Sequence, residues 1–173
     1  MEFTRGAWKL NPRIPPSFVR ALILSWITAV AIYFLLNAGV FASFFASKQS
    51  FLLTPTEAFV RIPGGYGSIL LLTLVLTVLI YRGKEARPYE GMRAGLLYGT
   101  AVSLTTVLGL WSITTIPTTF LGIWLVDQIL EMMLAGTVIA LVRFGASRRI
   151  TSFIVIGVLA CFIIGLALQN LPA

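Results

Sequence analysis

Trp124-Leu125-Val126-Asp127-Gln128-Ile129-Leu130-Glu131-Met132-Met133-Leu134-Ala135-Gly136 is the stretch that decides how this chain must fold. It lies inside a run from Phe120 to Val142 that is otherwise apolar enough to cross a bilayer. On a helix, Asp127 and Glu131 project from one face with Gln128 beside them, and Trp124 and Ala135 extend that stripe in both directions. An ionisable group within a membrane costs about 2.5–3.5 kcal/mol on insertion scales. Two on one face cannot be turned toward lipid. The rest of the protein, a partner or a water-filled cavity has to receive them.

Composition sets the class. Hydrophobic residues make up 58% of the 173-residue chain and charged residues 11%, with a mean hydropathy of +0.94, which points to an integral membrane protein. The formal charge of +7 does not argue for nucleic acid, because the basic residues sit at the ends of apolar runs and accompany no recognition module. With no histidine, histidine ligation of haem, zinc or copper is excluded within the chain. The single cysteine, Cys161, lies mid-span, where it can form no internal disulfide and reads as a small packing residue. No metal site and no intrinsic cofactor is expected, bound lipid being the ligand left open. Without histidine or a metal motif, no catalytic residues are expected, since carboxylate dyads come from two segments rather than one helix.

The apolar runs give an all-α bundle of five transmembrane helices. Residues 1–17 are basic and proline-rich, an extended arm with Ser17 as the N-cap of the first helix. The first span covers about 18–46, far longer than the apolar core of a signal peptide. Thr54-Pro55-Thr56-Glu57 has the form of a capping box with proline at the first helical position, and Pro63-Gly64-Gly65 is expected to stop that helix. The result is a short interfacial helix over about 55–62, a surface connector or partner-docking segment. The remaining spans fall at about 66–81, 91–116, 120–142 and 150–168. Gly95 and Gly99 in the third, and Gly157, Cys161 and Gly165 in the fifth, recur at four-residue intervals that let another helix approach closely.

Charge orients the bundle. With five crossings, Arg5, Lys9, Arg13, Arg20, Arg82, Lys84, Arg87, Arg93, Arg143, Arg148 and Arg149 fall on one side, and only Lys48 and Arg61 on the other. Thus 11 of 13 basic residues share a side, which places the N-terminus in the cytoplasm and the C-terminus outside.

The turn Ile116-Pro117-Thr118-Thr119 makes the third and fourth spans adjacent and antiparallel. Ser103 and Thr106 in the third span, with Tyr33 and Asn37 on one face of the first, are the candidate polar partners for Asp127, Gln128 and Glu131. No Lys or Arg lies deep in any span to neutralise the pair, so at least one carboxyl is expected to keep its proton. A protonated carboxyl can clasp a neighbouring helix, or it can release and recapture the proton as part of a relay.

Tyr89-Glu90-Gly91-Met92-Arg93-Ala94-Gly95-Leu96-Leu97-Tyr98-Gly99, the Ile116-Pro117 turn, Trp124, Glu131 and Ala135-Gly136 together resemble a group of small, uncharacterised bacterial multi-pass membrane proteins. That group typically has four spans, so the fifth is a departure. The resemblance covers the third and fourth spans and implies a helical bundle, but no activity. The expected role is a non-catalytic accessory or scaffolding subunit in the bacterial cytoplasmic membrane, packing against partner helices in a larger complex or homo-oligomer. The alternative is a small proton- or cation-coupled channel or carrier using Asp127 and Glu131.

Overall fold

The computed structural model describes residues 15–42, 44, 55–83 and 87–170, and among them there are five long helices and no strand. They are α1 (Pro16–Phe34), α2 (Pro55–Arg82), α3 (Pro88–Ile113), α4 (Thr118–Arg143) and α5 (Arg148–Gln169). Each is long and apolar enough to cross a membrane. Most of the basic arm and the segment after α1 lie outside the described residues.

α1 begins two residues earlier than an N-cap at Ser17 requires. Pro15 holds extended backbone (φ −65°, ψ 144°) and Pro16 is the first helical residue. Proline suits that position, because its fixed φ is already helical and its missing N–H would have gone unbonded there. At the other end α1 passes directly into a π-helical stretch, Leu35–Val40, closed by Phe41 N–H donating to the Leu36 carbonyl at 2.7 Å.

α2 corrects two expectations at once. Pro63-Gly64-Gly65 does not stop the helix, so the interfacial helix and the second span are one element of 28 residues. A proline inside a helix removes its own N–H bond and crowds the carbonyl one turn back, whereas breaking the helix in lipid would expose several unpaired backbone groups. Pro63, Gly64 and Gly65 are all exposed, on a part of α2 that packs against no other described helix closely enough to bury them. The part able to cross runs from Phe59 to Arg82, longer than the expected 66–81.

The bundle is built around α4, which is the most deeply buried helix. One of its faces receives α3 antiparallel. Gly91, Gly95 and Gly99 of α3 lie against Gly136, Met132 and the Gln128–Ile129 backbone of α4. A Cβ on Gly95 would overlap the Met132 carbonyl, and one on Gly136 would come within 3.0 Å of the Gly95 Cα. Ser103 continues the same buried row. The other face of α4 meets α1. The core includes Ala21, Ala29, Ile69, Leu76, Met132, Ala135 and Ile139, contributed by α1, α2 and α4.

Side-chain contacts fix the directions of the other helices. Phe18 meets Tyr81 edge-on at 5.2 Å, and the Trp26 indole donates to the Tyr66 carbonyl at 3.1 Å, so α1 and α2 are antiparallel. Arg20 donates to Thr151, Phe34 packs on Phe162 and Gly39 on Gly165, so α1 and α5 run parallel. Arg143, at the end of α4, donates to the carbonyls of Ile80 and Gly83 and lies over the Tyr81 ring. It thereby caps the Gly83 carbonyl just past α2 and adds a second donor to the Ile80 carbonyl, which also accepts from the Gly83 N–H. Arg20, Arg82, Arg87, Arg93, Arg143, Arg148 and Arg149 consequently gather at one end of the bundle, and Arg61 stands toward the other.

Candidate functional site: a carboxyl pair between α1 and α4

Asp127 and Glu131 are enclosed by the chain's own helices. They retain 1% and 3% of their exposure, and their side chains interact with each other along α4. The inner stripe continues to Ala135, fully buried, whereas Trp124 at its other end is exposed and meets Phe120 edge-on. The face that the sequence marks as intolerable to lipid is the face turned inward.

The polar group that receives it comes from the π-helical stretch of α1. Asn37 Nδ2 donates to Asp127 Oδ2 at 2.6 Å and to the carbonyl of Tyr33 at 3.0 Å. A π-turn lets one extra residue into the helical ladder, rotating the residues beyond it by about 100° relative to an unbroken α-helix. In that register Asn37 reaches α4 while Gly39, two residues on, packs against Gly165 of α5. Tyr33 contributes its carbonyl to Asn37, and its ring lies within electrostatic reach of both carboxyl groups.

Other expected partners are placed elsewhere. Ser103 is fully buried but donates to the carbonyl of Gly99 at 2.6 Å, and Thr106 donates to Val102 at 3.0 Å. Both hydroxyls bond back onto α3, as Ser and Thr in membrane helices commonly do. Gln128 is half-buried, and its backbone carbonyl faces Gly99 of α3 across the glycine seam.

The row on α5 is split in the same way. Gly165 is buried against the Phe34 ring, with Phe34 Cδ1 2.9 Å from where a Cβ would stand. Cys161 is half-buried, and Gly157 has nothing within 4 Å of such a Cβ. Among the described residues, only the Gly165 end of the expected groove is filled.

Chemically, the site is a carboxyl pair with one amide donor and one oxygen to spare. Among the described residues, Asp127 Oδ1 is buried and has no hydrogen-bond partner. Among the described residues no Lys or Arg bonds to either carboxyl, and no group of three or more His, Cys, Asp or Glu side chains is arranged to hold a metal ion. Compared with known proteins, the chain matches no family model, no curated protein and no solved structure.

Proposed function

We propose that this chain is a non-catalytic, multi-pass membrane protein that serves as an accessory or scaffolding subunit, with Asp127 and Glu131 acting as an internal clasp. The observation that carries this reading is the Asn37–Asp127 hydrogen bond. It joins two helices through residues 90 positions apart in sequence and draws the costly carboxyl face into the protein's own interior. The molecule then offers its surroundings mainly apolar helix faces, α5 above all. The charge bias supports an N-terminus on the cytoplasmic side, and the bacterial cytoplasmic membrane is the location this reading takes. Gentle detergent extraction of native membranes, with sizing and identification of copurifying proteins, tests the reading. A discrete assembly with defined partners or copies is expected; a stable monomer that travels alone overturns it.

A second reading is favoured by one specific observation, the unpartnered Oδ1 of Asp127 beside Glu131. A buried acceptor of this kind can take a proton or a small cation, which is the chemistry of a proton- or cation-coupled channel or carrier. Flux measured in liposomes separates the two. Conduction lost in Glu131→Gln, with folding intact, establishes transport; proteoliposomes as tight as protein-free vesicles exclude it.

A further inference from the structure

At the arginine-rich end of the bundle, one face of α1 and Thr151 of α5 border a shallow, open groove of about 420 Å³. Its walls are Pro16, Val19, Ile23 and Leu24 from α1, and at its head Arg20 reaches across to the Thr151 hydroxyl of α5. A guanidinium carries five N–H donors, and among the described residues Thr151 is the one acceptor Arg20 bonds. No carboxylate of the described residues meets this cation. Arg148 stands one turn before Thr151 on α5 and is likewise without an acidic partner among them. Glu90, the acidic residue described at this end, accepts from the Arg87 backbone and so serves the start of α3.

The groove therefore has two chemically distinct parts. Its head is cationic, with donors left over, and sits where a helix end reaches the headgroup layer. Its body is a shallow strip of branched aliphatic side chains along α1, with Val19 half exposed and Ile23 nearly so. A soluble anion would satisfy the head and leave the apolar body in water. A second protein helix would fill the body but bring nothing to the arginine unless it carried an acid at that level.

We infer that the α1–α5 groove is a binding site for an anionic glycerophospholipid, with the phosphate on Arg20 and an acyl chain along Val19, Ile23 and Leu24. Charge complementarity selects this occupant: arginine pairs a phosphate oxygen in a charge-assisted bond, and the bilayer supplies the phosphate at that depth. Thr151 holds the guanidinium at the mouth of the groove, so the arginine is oriented before lipid arrives. The site is independent of whether the carboxyl pair is a clasp or a proton site.

The test is native mass spectrometry of the full chain released from nanodiscs of equal phosphatidylglycerol and phosphatidylcholine. The wild type is expected to retain phosphatidylglycerol in preference to phosphatidylcholine, and Arg20→Gln to lose that preference by about 5-fold, the effect of one arginine near an anionic surface. Thr151→Val, which removes only the tether, is expected to fall between the two. Arg93→Gln, on α3, should leave the preference within about 2-fold of wild type, since it lies off the groove. Circular dichroism of each variant checks the fold. If Arg20→Gln does not fold, Arg20→Lys decides, since it keeps the charge but loses the fork and should weaken retention measurably. Equal retention of both lipids by the wild type, or a preference untouched by Arg20 and Thr151 substitution, overturns the assignment.

Discussion

α4 is gripped on two sides by opposite means. Against α3 the contact is backbone on backbone: Gly91, Gly95 and Gly99 meet Gly136 and Met132 with no room for a methyl group. Against α1 the central contact is polar, an asparagine amide on a carboxyl, and the α1 backbone departs from α-helical geometry where it is made. In lipid there is no hydrophobic drive between helices, so association rests on packing area and on interhelical hydrogen bonds. The α3 seam uses the first and the α1 seam the second. The glycine seam has no alternative arrangement, because its fit is set by backbone. The polar seam depends on a pair of side chains, one of which still has an unused acceptor.

The largest effect should come from the glycine seam. Gly95→Ala places a methyl group against the Met132 carbonyl, and backbone cannot rotate away as a side chain can. We expect the stability of the bundle to fall by roughly 2–3 kcal/mol, the usual cost of overpacking a tight core. Unfolding in a titration of denaturing into mild detergent measures it. A Gly95→Ala protein as stable as wild type would mean that α3 and α4 are not in contact at this depth.

Next in size is the polar seam. Asn37→Leu removes the donor to Asp127 and leaves a buried carboxyl without it. Leaving a buried polar group unpaired costs about 1–3 kcal/mol in general, while hydrogen bonds between membrane helices average about 0.6 and reach about 1.7. We expect a loss of about 1 kcal/mol, smaller than for Gly95→Ala. A double-mutant cycle of Asn37→Leu with Asp127→Leu should return a coupling of about the same size. A coupling of zero would sever the clasp from the stability of the fold.

A smaller effect separates Ser103 from the residues it was expected to serve. Its hydroxyl is spent on the Gly99 carbonyl of its own helix. Ser103→Ala should therefore change stability by less than about 0.5 kcal/mol, and should not add to or subtract from the Asn37→Leu effect. A strong coupling between these two sites would show that the hydroxyl reaches the carboxyl pair after all.

The same division separates the legible from the illegible in the sequence. Five apolar runs and the spacing of Asp127 and Glu131 were enough to give the helices and the face that must be buried, because lipid enforces both. Asn37 could be picked out as the receiving amide, since amides within spans are costly too. The π-helical register that delivers it could not: a π-turn has no residue pattern, and here it accompanies Asn37 facing α4 and Gly39 facing α5. Pro63-Gly64-Gly65 misled for a related reason. In water those residues end helices, but in a membrane the backbone has no other partner, and α2 runs through them. The four-residue rows gave the right kind of contact without saying which members are used.

Gly157 and Gly165 offer the finest division, within one row of one helix. Gly165→Ala pushes a methyl group toward the Phe34 ring, 2.9 Å from Cδ1 and 3.4 Å from the Leu35 Cα, and the ring can shift only by loosening the α1–α5 contact. Gly157→Ala meets nothing within 4 Å, and alanine favours a helix over glycine by up to about 1 kcal/mol in water. Measured on the isolated chain, the first should be mildly destabilising, by several tenths of a kcal/mol, and the second neutral or slightly stabilising. Gly157→Leu should likewise leave the isolated chain intact. If the open end of the row receives a partner helix, that same leucine must release the partner, because close approach of two backbones fails with a bulky side chain between them. Copurification of the wild-type assembly unchanged by Gly157→Leu would mean that the exposed glycine faces lipid alone, and any partner would have to bind another face.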